Sequence, residues 1–329
     1  MFVFDRKQDI YEIAGMKIGG QPGEIATVLA GTIFYAKHDI VEDAEKGIFD
    51  EKRAEELLKK QEEMQDTTGN PALMQIFSES SEAMEKEIEF CTKVSDVPFL
   101  IDSTVAEAKI GGMKYCDEVG LSDKAIYNSI NVSCAKEELE AIKNSKLTAA
   151  ILLGFNPKDT TVAGKIDLLE TGAGTFEKGM LFLAREDLGI TKPLFDPATL
   201  PIGAGCGSSC ASGMVVKSRY GIPVGMGIHN APSAWTWIKT YRKEHAQRIE
   251  EAGVKKWVGP GAEAFHICDL GSNVIPPLLG QNFVMYGPIE NAPVVFPLIG
   301  MMDMIVAEGN AAEHAIEAKE PHPYLVMSA

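Results

Sequence analysis

The sequence predicts a single (β/α)8 barrel, the TIM-barrel fold. Three observations carry the prediction. Eight short apolar runs recur along the 329 residues. Each is apolar on both faces, as parallel strands covered by helices must be. Each is followed by a helical pattern or a polar loop, and eight strand–helix units close a barrel more naturally than they build an open doubly wound sheet.

The runs are "GMKIGG" (15–20), "PALMQIF" (71–77), "VPFLID" (97–102), "AIYNSI" (125–130), "TAAILLGF" (148–155), "KPLFDP" (192–197), "IPVGMGI" (222–228) and "NFVMYG" (282–287). Helical patterns lie between them. In 50–66, acids come early and bases late, with an i,i+4 pair at Glu55 and Lys59. Similar patterns cover 81–94, 136–146 and 234–253. Segment 240–267 reads as an excursion before the eighth strand, with turn chemistry at Gly259-Pro260-Gly261. The apolar stretch 292–307 holds two prolines and Asp303, which favours a buried final helix over a membrane span. Met301, Met302 and Met304 are expected on its core-facing side. No linker rich in Ser, Pro or Gly divides the chain, so one domain is expected.

Composition narrows the function. The formal net charge is −16, from 47 acids and 31 bases, and 45% of residues are hydrophobic. That balance supports a large core and argues against nucleic-acid binding. The six cysteines form no CxxC pair and no zinc spacing, so no metal site is expected and reduced thiols in a cytoplasmic protein are the simple reading. Cys206 and Cys210 share a helix face within "GAGCGSSCASG", but two ligands are too few for a metal. The same stretch contains a GxG, yet it lies late in the chain and lacks the acidic partner of a dinucleotide fingerprint.

Chemistry in such barrels sits at the carboxyl ends of the strands. Those ends supply Asp102, Asn128, Asn156, Asp196 and the pair His229-Asn230, and the first run leads to Gln21 and Glu24. Each polar residue alone is more simply a cap or turn former. Together, two carboxylates and several amides suit a neutral heterocycle rich in N–H and C=O groups. A pterin is one such ring, whose 2-amino group and N3–H match a carboxylate bidentately.

"LIDST", "IYNSI", "LFDPATLP" and "GIHN" resemble the pterin-binding set of methyltetrahydrofolate:corrinoid protein methyltransferases. Longer blocks, among them "KIGGQPGE", "GTIFYAKHDIVED", "QEEMQDTTGNP", "VGMGIHNAPSAW" and "FVMYGPIENA", resemble the H subunit of tetrahydromethanopterin S-methyltransferase and its stand-alone relatives of methyl-donor pathways. The resemblance implies a TIM barrel of the pterin-binding type. It implies methyl transfer between the cobalt of a corrinoid, carried by a partner protein, and N5 of a reduced pterin, tetrahydromethanopterin or tetrahydrofolate. It implies Asn230 as the residue at N5, with Asp102, Asn128, Asp196, Asn156 and Gln21 binding the pterin. Ser103, Asn131 and His229 are expected behind them; strand alternation turns His229 away from Asn230. A homodimer is implied as well, to which Trp235 and Trp237 are candidate contributors.

Departures from the H-subunit pattern in 240–267 and in 203–213 tilt the expectation toward a stand-alone enzyme running from methyl-corrinoid to tetrahydropterin. The alternatives are the H subunit of the membrane complex, running from methyl-pterin to cobalt, and a docking subunit that binds pterin without catalysis. A synthase of the dihydropteroate type would need cations for pyrophosphate at the strand ends, and none is evident.

Overall fold

The computed structural model describes residues 1–251 and 254–328. Eight parallel strands form the centre: β1 Val28–Ile33, β2 Ala72–Phe77, β3 Phe99–Asp102, β4 Ala125–Ile130, β5 Ala149–Leu153, β6 Lys192–Asp196, β7 Gly225–Met226 and β8 Phe283–Pro288. Neighbouring strands pair in parallel from β6 back to β1 and on through β8 to β7. A bridge between Phe195 and Val224 joins β6 to β7 and closes the ring. Helices α1 Glu51–Thr68, α2 Ser81–Val94, α3 Ala106–Val119, α4 Lys136–Asn144, α5 Val162–Thr171 and α6 Cys206–Tyr220 follow β1 to β6. The first helices start where the sequence supplies caps: Asp50 accepts from Arg53 N–H, and Ser80 from Ala83 N–H.

Two parts differ from the sequence-based expectation. The run 15–20 is not a barrel strand. Met16–Gly19 pairs antiparallel with Ile10–Ile13, and the hairpin's Ile13, Met16 and Ile18 join Val28, Leu73, Leu100 and Ile126 in plugging the amino-terminal end of the barrel. The first barrel strand is Val28–Ile33 instead. The expected helix over 234–253 stops at His245: α7 is Thr236–His245, and a hairpin of Gln247–Glu251 and Val254–Val258 follows. Ala252 and Gly253, the last residues of that expected helix, lie outside the described residues. Helix α8, Pro260–Gly271, then leads back to β8, starting at the proline of the Gly259-Pro260-Gly261 turn.

The last helix, α9 Ala292–His314, is long and apolar enough to cross a membrane by composition, but half of its most apolar stretch is buried against the barrel. Asp303 explains an acid in so apolar a helix. Its carboxylate accepts from Thr27 N–H at 2.9 Å, Thr27 Oγ1 at 2.8 Å and Asn70 Nδ2 at 2.7 Å, tying α9 to the approach of β1. Met302 is buried as expected, whereas Met301 faces outward at 51% exposure with Val294 and Ile305.

Candidate functional site

Strand alternation builds the site. Ala30, Leu73, Leu100, Ile126, Ile151 and Leu194 point into the barrel and fill an apolar layer. The next inward residues, two positions on, are Thr32, Gln75, Asp102, Asn128, Leu153 and Asp196. These line a cavity of about 800 Å³ at the carboxyl ends of the strands, together with His229, Asn230 and Gly287. None of the described residues that line it is Lys or Arg.

On one wall a hydrogen-bond chain crosses three strands. Thr32 Oγ1 donates to Gln75 Oε1 at 2.9 Å, and Gln75 Nε2 donates to Asp102 Oδ2 at 2.7 Å. The chain fixes the orientation of the Gln75 amide and of the carboxylate. Desolvation pushes Asp102 up to about 6, opposed by the Gln75 amide and by the more distant Lys109. On the opposite wall Asp196, itself buried, accepts from Ala198 N–H at 2.7 Å. Burial pushes it up to about 7 against that N–H and the charge of Lys165. Both carboxylates are therefore poised to ionise fully when a ligand brings N–H donors.

Asn230 lies at the rim and is exposed. One of its amide N–H groups donates to Gly227 O at 3.2 Å. The second N–H and Oδ1 are left for a ligand. His229 stands beside it in the cavity wall, not turned away. Alternation fails there because β7 ends at Met226 and the chain turns, with Asn230 N–H bonded to Gly227 O and Ala231 N–H to Ile228 O. The His229 ring needs a glycine opposite: a Cβ on Gly287, which has φ +87°, would fall 2.8 Å from Cε1. Burial lowers His229 to about 4, so it is neutral at neutral pH.

Gln21 and Asn156 are not brought to the cavity. Gln21 follows the plugging hairpin, where its amide bonds both the N–H and the carbonyl of Phe4. Asn156 spans its own loop, donating to Gly164 O at 2.9 Å and accepting from Lys158 N–H at 3.0 Å. Asn131 likewise holds a local turn, and Ser103 ties its own turn to the end of the neighbouring strand β2. Ser103 donates to Ser78 O and accepts from Val105 N–H; Asn131 donates to Ser129 O and accepts from Ser133 N–H.

Thr32, Gln75, Tyr35 and Thr199 line the cavity and are absent from the sequence-based set. Tyr35 stacks on His38 and donates to Glu290 at 3.0 Å. His38 Nδ1 accepts from Phe34 N–H, so its Nε2 carries the proton that faces Glu290 at 2.9 Å. Thr199 Oγ1 is buried without a partner among the described residues, an orphan polar group at the cavity wall. The block "GTIFYAKHD" holds the signal for two of these, Thr32 and Tyr35, once 28–33 is recognised as the first barrel strand.

Among the described residues no three metal-ligating side chains gather.

Solved structures with this fold include the Yersinia pestis dihydropteroate synthase with a pterine-sulfa conjugate, with a TM-score of 0.59 at 13% identity over 93% of this chain and 100% of that one. The Xanthomonas albilineans dihydropteroate synthase in complex with 7,8-dihydropteroate has a TM-score of 0.52 at 14% identity, over 90% and 98%. These likenesses show the barrel. Sequence relatives go further. The chain is 51% identical to the H subunit of tetrahydromethanopterin S-methyltransferase from Methanothermobacter marburgensis over 99% of this chain and 100% of the relative. It is 48% identical to the H subunit from Methanocaldococcus jannaschii over 98% and 99%. The family model described as tetrahydromethanopterin S-methyltransferase MtrH subunit matches residues 6–319, and the chain belongs to that family.

Proposed function

We propose that the chain binds tetrahydromethanopterin and moves a methyl group between its N5 and the cobalt of a corrinoid held by another protein, in the direction from methyl-pterin to cobalt. One observation carries this reading: two desolvated carboxylates and three carboxamides converge on a single cup with no Lys or Arg among its described lining residues. Such a donor–acceptor set fits a pterin ring and offers nothing to a pyrophosphate leaving group. Asp102 and Asp196 accept ring N–H groups, and Asn128 and Gln75 complete the plane. The corrinoid, when docked, supplies a nucleophilic cobalt. As the N5–methyl bond breaks, its electron pair stays on N5, and the free N–H or Oδ1 of Asn230 steadies N5 or its proton.

The test mixes the purified chain, methyl-tetrahydromethanopterin and reduced cobalamin. Methylation seen in the cobalt spectrum supports the proposal. Pterin binding without any spectral change would leave only a docking subunit.

The cobalt carrier is too large to enter the cup, so it must cover the rim. There, α7 and the hairpin carry Lys239, Arg242, Lys243 and Arg248, which make no ion pair among the described residues, on a chain of net charge −16. Arg242 and Arg248 flank Trp257 at 5.4 and 5.1 Å. Helix α8 links this ledge to the Asn230 turn, where Ser233 donates to Asp269 at 3.2 Å. Transfer to a corrinoid protein is expected to slow about tenfold between low and high salt, while transfer to free cobalamin stays level. Stopped-flow rates against ionic strength check this.

For a homodimer the proposed contact is the outer side of α9, where Val294, Met301 and Ile305 are exposed and the half-buried Leu298 lies between them, spaced 4, 3 and 4 residues apart. Met301→Asp is expected to give a monomer by sedimentation, with the far-ultraviolet spectrum unchanged. Trp237, 56% exposed and stacked on Tyr241, lies on α7 with Lys239 and Arg242 and is read with that ledge.

A further inference from the structure

Lys165 lies on α5, outside the cavity, and is fully buried. Its ammonium has three N–H donors and meets three oxygens: the Pro197 carbonyl, the Ala198 carbonyl at 3.3 Å and Ser209 Oγ at 3.1 Å. Ser209 spends its own proton on Ala198 O at 2.6 Å, so its oxygen is an acceptor toward Lys165. All three N–H groups are thus consumed, which is the pattern of the charged form. Among the described residues no carboxylate hydrogen-bonds to it. The two carbonyls belong to the residues immediately after Asp196, and the N–H of the second, Ala198, is the one that Asp196 accepts.

A buried lysine without a direct carboxylate partner is costly, and a purely structural tie between α5, α6 and this turn would be served by a neutral donor. We propose that Lys165 is a positioning residue for the pterin site: it fixes the Pro197–Ala198 turn so that the Ala198 N–H meets Asp196, and its charge favours the ionised form of that carboxylate for the ring. This rests on the reading of Asp196 as a pterin ligand. Among titratable groups, Lys165 from α5 acts on Asp196 directly, Cys210 from α6 lies near Lys165, and Asp102, Tyr35 and His229 share the cavity. Burial lowers Lys165 to about 8 and His229 to about 4, so Lys165 is the one of these that is cationic at pH 7.

The test is tetrahydromethanopterin affinity against pH for the wild type, Lys165→Met and Lys165→Gln. Without the charge, Asp196 ionises at higher pH. Both variants are expected to bind about tenfold more weakly than the wild type near pH 6.5 and to approach its affinity by pH 9, a one-unit displacement of the profile. Lys165→Gln keeps two donors for the turn, so its shift isolates charge from shape. A loss equal at every pH would reduce Lys165 to a structural tie, and unchanged profiles would overturn the proposal outright. A wild type that does not bind the pterin at all would instead overturn the function.

Should neither variant fold, ¹⁵N-lysine spectra of the wild type decide. Among the described residues Lys165 and Lys217 are fully buried, and since burial lowers them to about 8 and about 7, both should give exchange-protected ammonium signals near pH 6. Lys217 sits at the plugged end, bonded to Gly20 O and Asn282 Oδ1. Pterin addition is expected to move one signal and not the other; two unmoved signals would refute the coupling.

Discussion

Asn230→Ala is expected to slow single-turnover methyl transfer by about 10²–10³-fold, the usual cost of removing one donor aimed at developing charge. Affinity for the pterin should stay within about threefold, because the ring's N–H groups are held by Asp102 and Asp196. The geometry gives the reason for the split. The Asn230 amide is anchored by one N–H on Gly227 O, at the start of a turn that β7 fixes, so its remaining N–H and Oδ1 have a set direction. An amide serves either protonation state of N5 without ionising itself. His229 beside it is held neutral by burial and is no proton donor at neutral pH. Stopped-flow spectra of the cobalt centre and equilibrium pterin binding separate the two effects. A loss confined to affinity would make Asn230 a binding residue, and no loss in either would remove it from the site.

The parts of the site that are legible in the sequence share one physical signature. Leu100–Asp102, Ile126–Asn128 and Leu194–Asp196 each place a polar residue two positions after an inward apolar one, at the end of a run that is otherwise buried. Period two then sends both to the same side of the sheet. The first strand lacks that contrast. Ala30 and Gly31 weaken its appearance, and the structure shows why glycine stands there: a Cβ at 31 would fall 2.3 Å from the Tyr286 hydroxyl. The run "GMKIGG" looks more like a strand, and it is one, but in a hairpin that plugs the barrel; apolar content cannot say which partner a strand takes. Placing the first strand there carries Gln21 to the wrong end of the barrel and hides Thr32, whereas its partner Gln75 lies on a correctly read strand but inside the run 71–77, two residues short of its end.

Asn156 shows the limit of reading single residues. An asparagine after a strand satisfies its own loop as readily as a ligand, and here the loop uses both ends of the amide. The helical pattern of α7 extends too far in sequence because "QRIEE" after His245 still carries helix-forming residues, while its pairing with Val254–Val258 makes it a strand. The buried support of the site is invisible for a different reason. Lys165, on α5, acts on a turn more than thirty residues later, and no local pattern encodes that contact.

Asp196→Asn is the second large effect, and it is expected to move stability and binding in opposite directions. The wild-type carboxyl titrates near 7 in the fold, against about 3.9 in an unfolded chain. A raised carboxylate pKa means that the folded state holds the proton more tightly. Its cost to stability is absent below about pH 4, grows as pH rises, and is complete above 7. Asparagine keeps an oxygen for Ala198 N–H and removes the buried charge. Denaturant unfolding of the ligand-free variant should therefore show a gain of roughly 1–3 kcal/mol at pH 8 and nearly none at pH 4. Pterin affinity should fall on the order of 10- to 100-fold at pH 8, the loss of charge-assisted acceptance of ring N–H groups. The pH profile carries the sharper signature. Wild-type affinity should rise between pH 6 and 8 with release of a proton on binding, because the ring selects the ionised carboxylate. That rise should flatten in Asp196→Asn, leaving only the weaker dependence below pH 6 from Asp102. Calorimetry in two buffers of different ionisation enthalpy counts the proton directly. A variant that loses affinity but keeps the wild-type slope would place the titrating group elsewhere, and one that gains no stability at pH 8 would mean that Lys165 already compensates the buried charge in full.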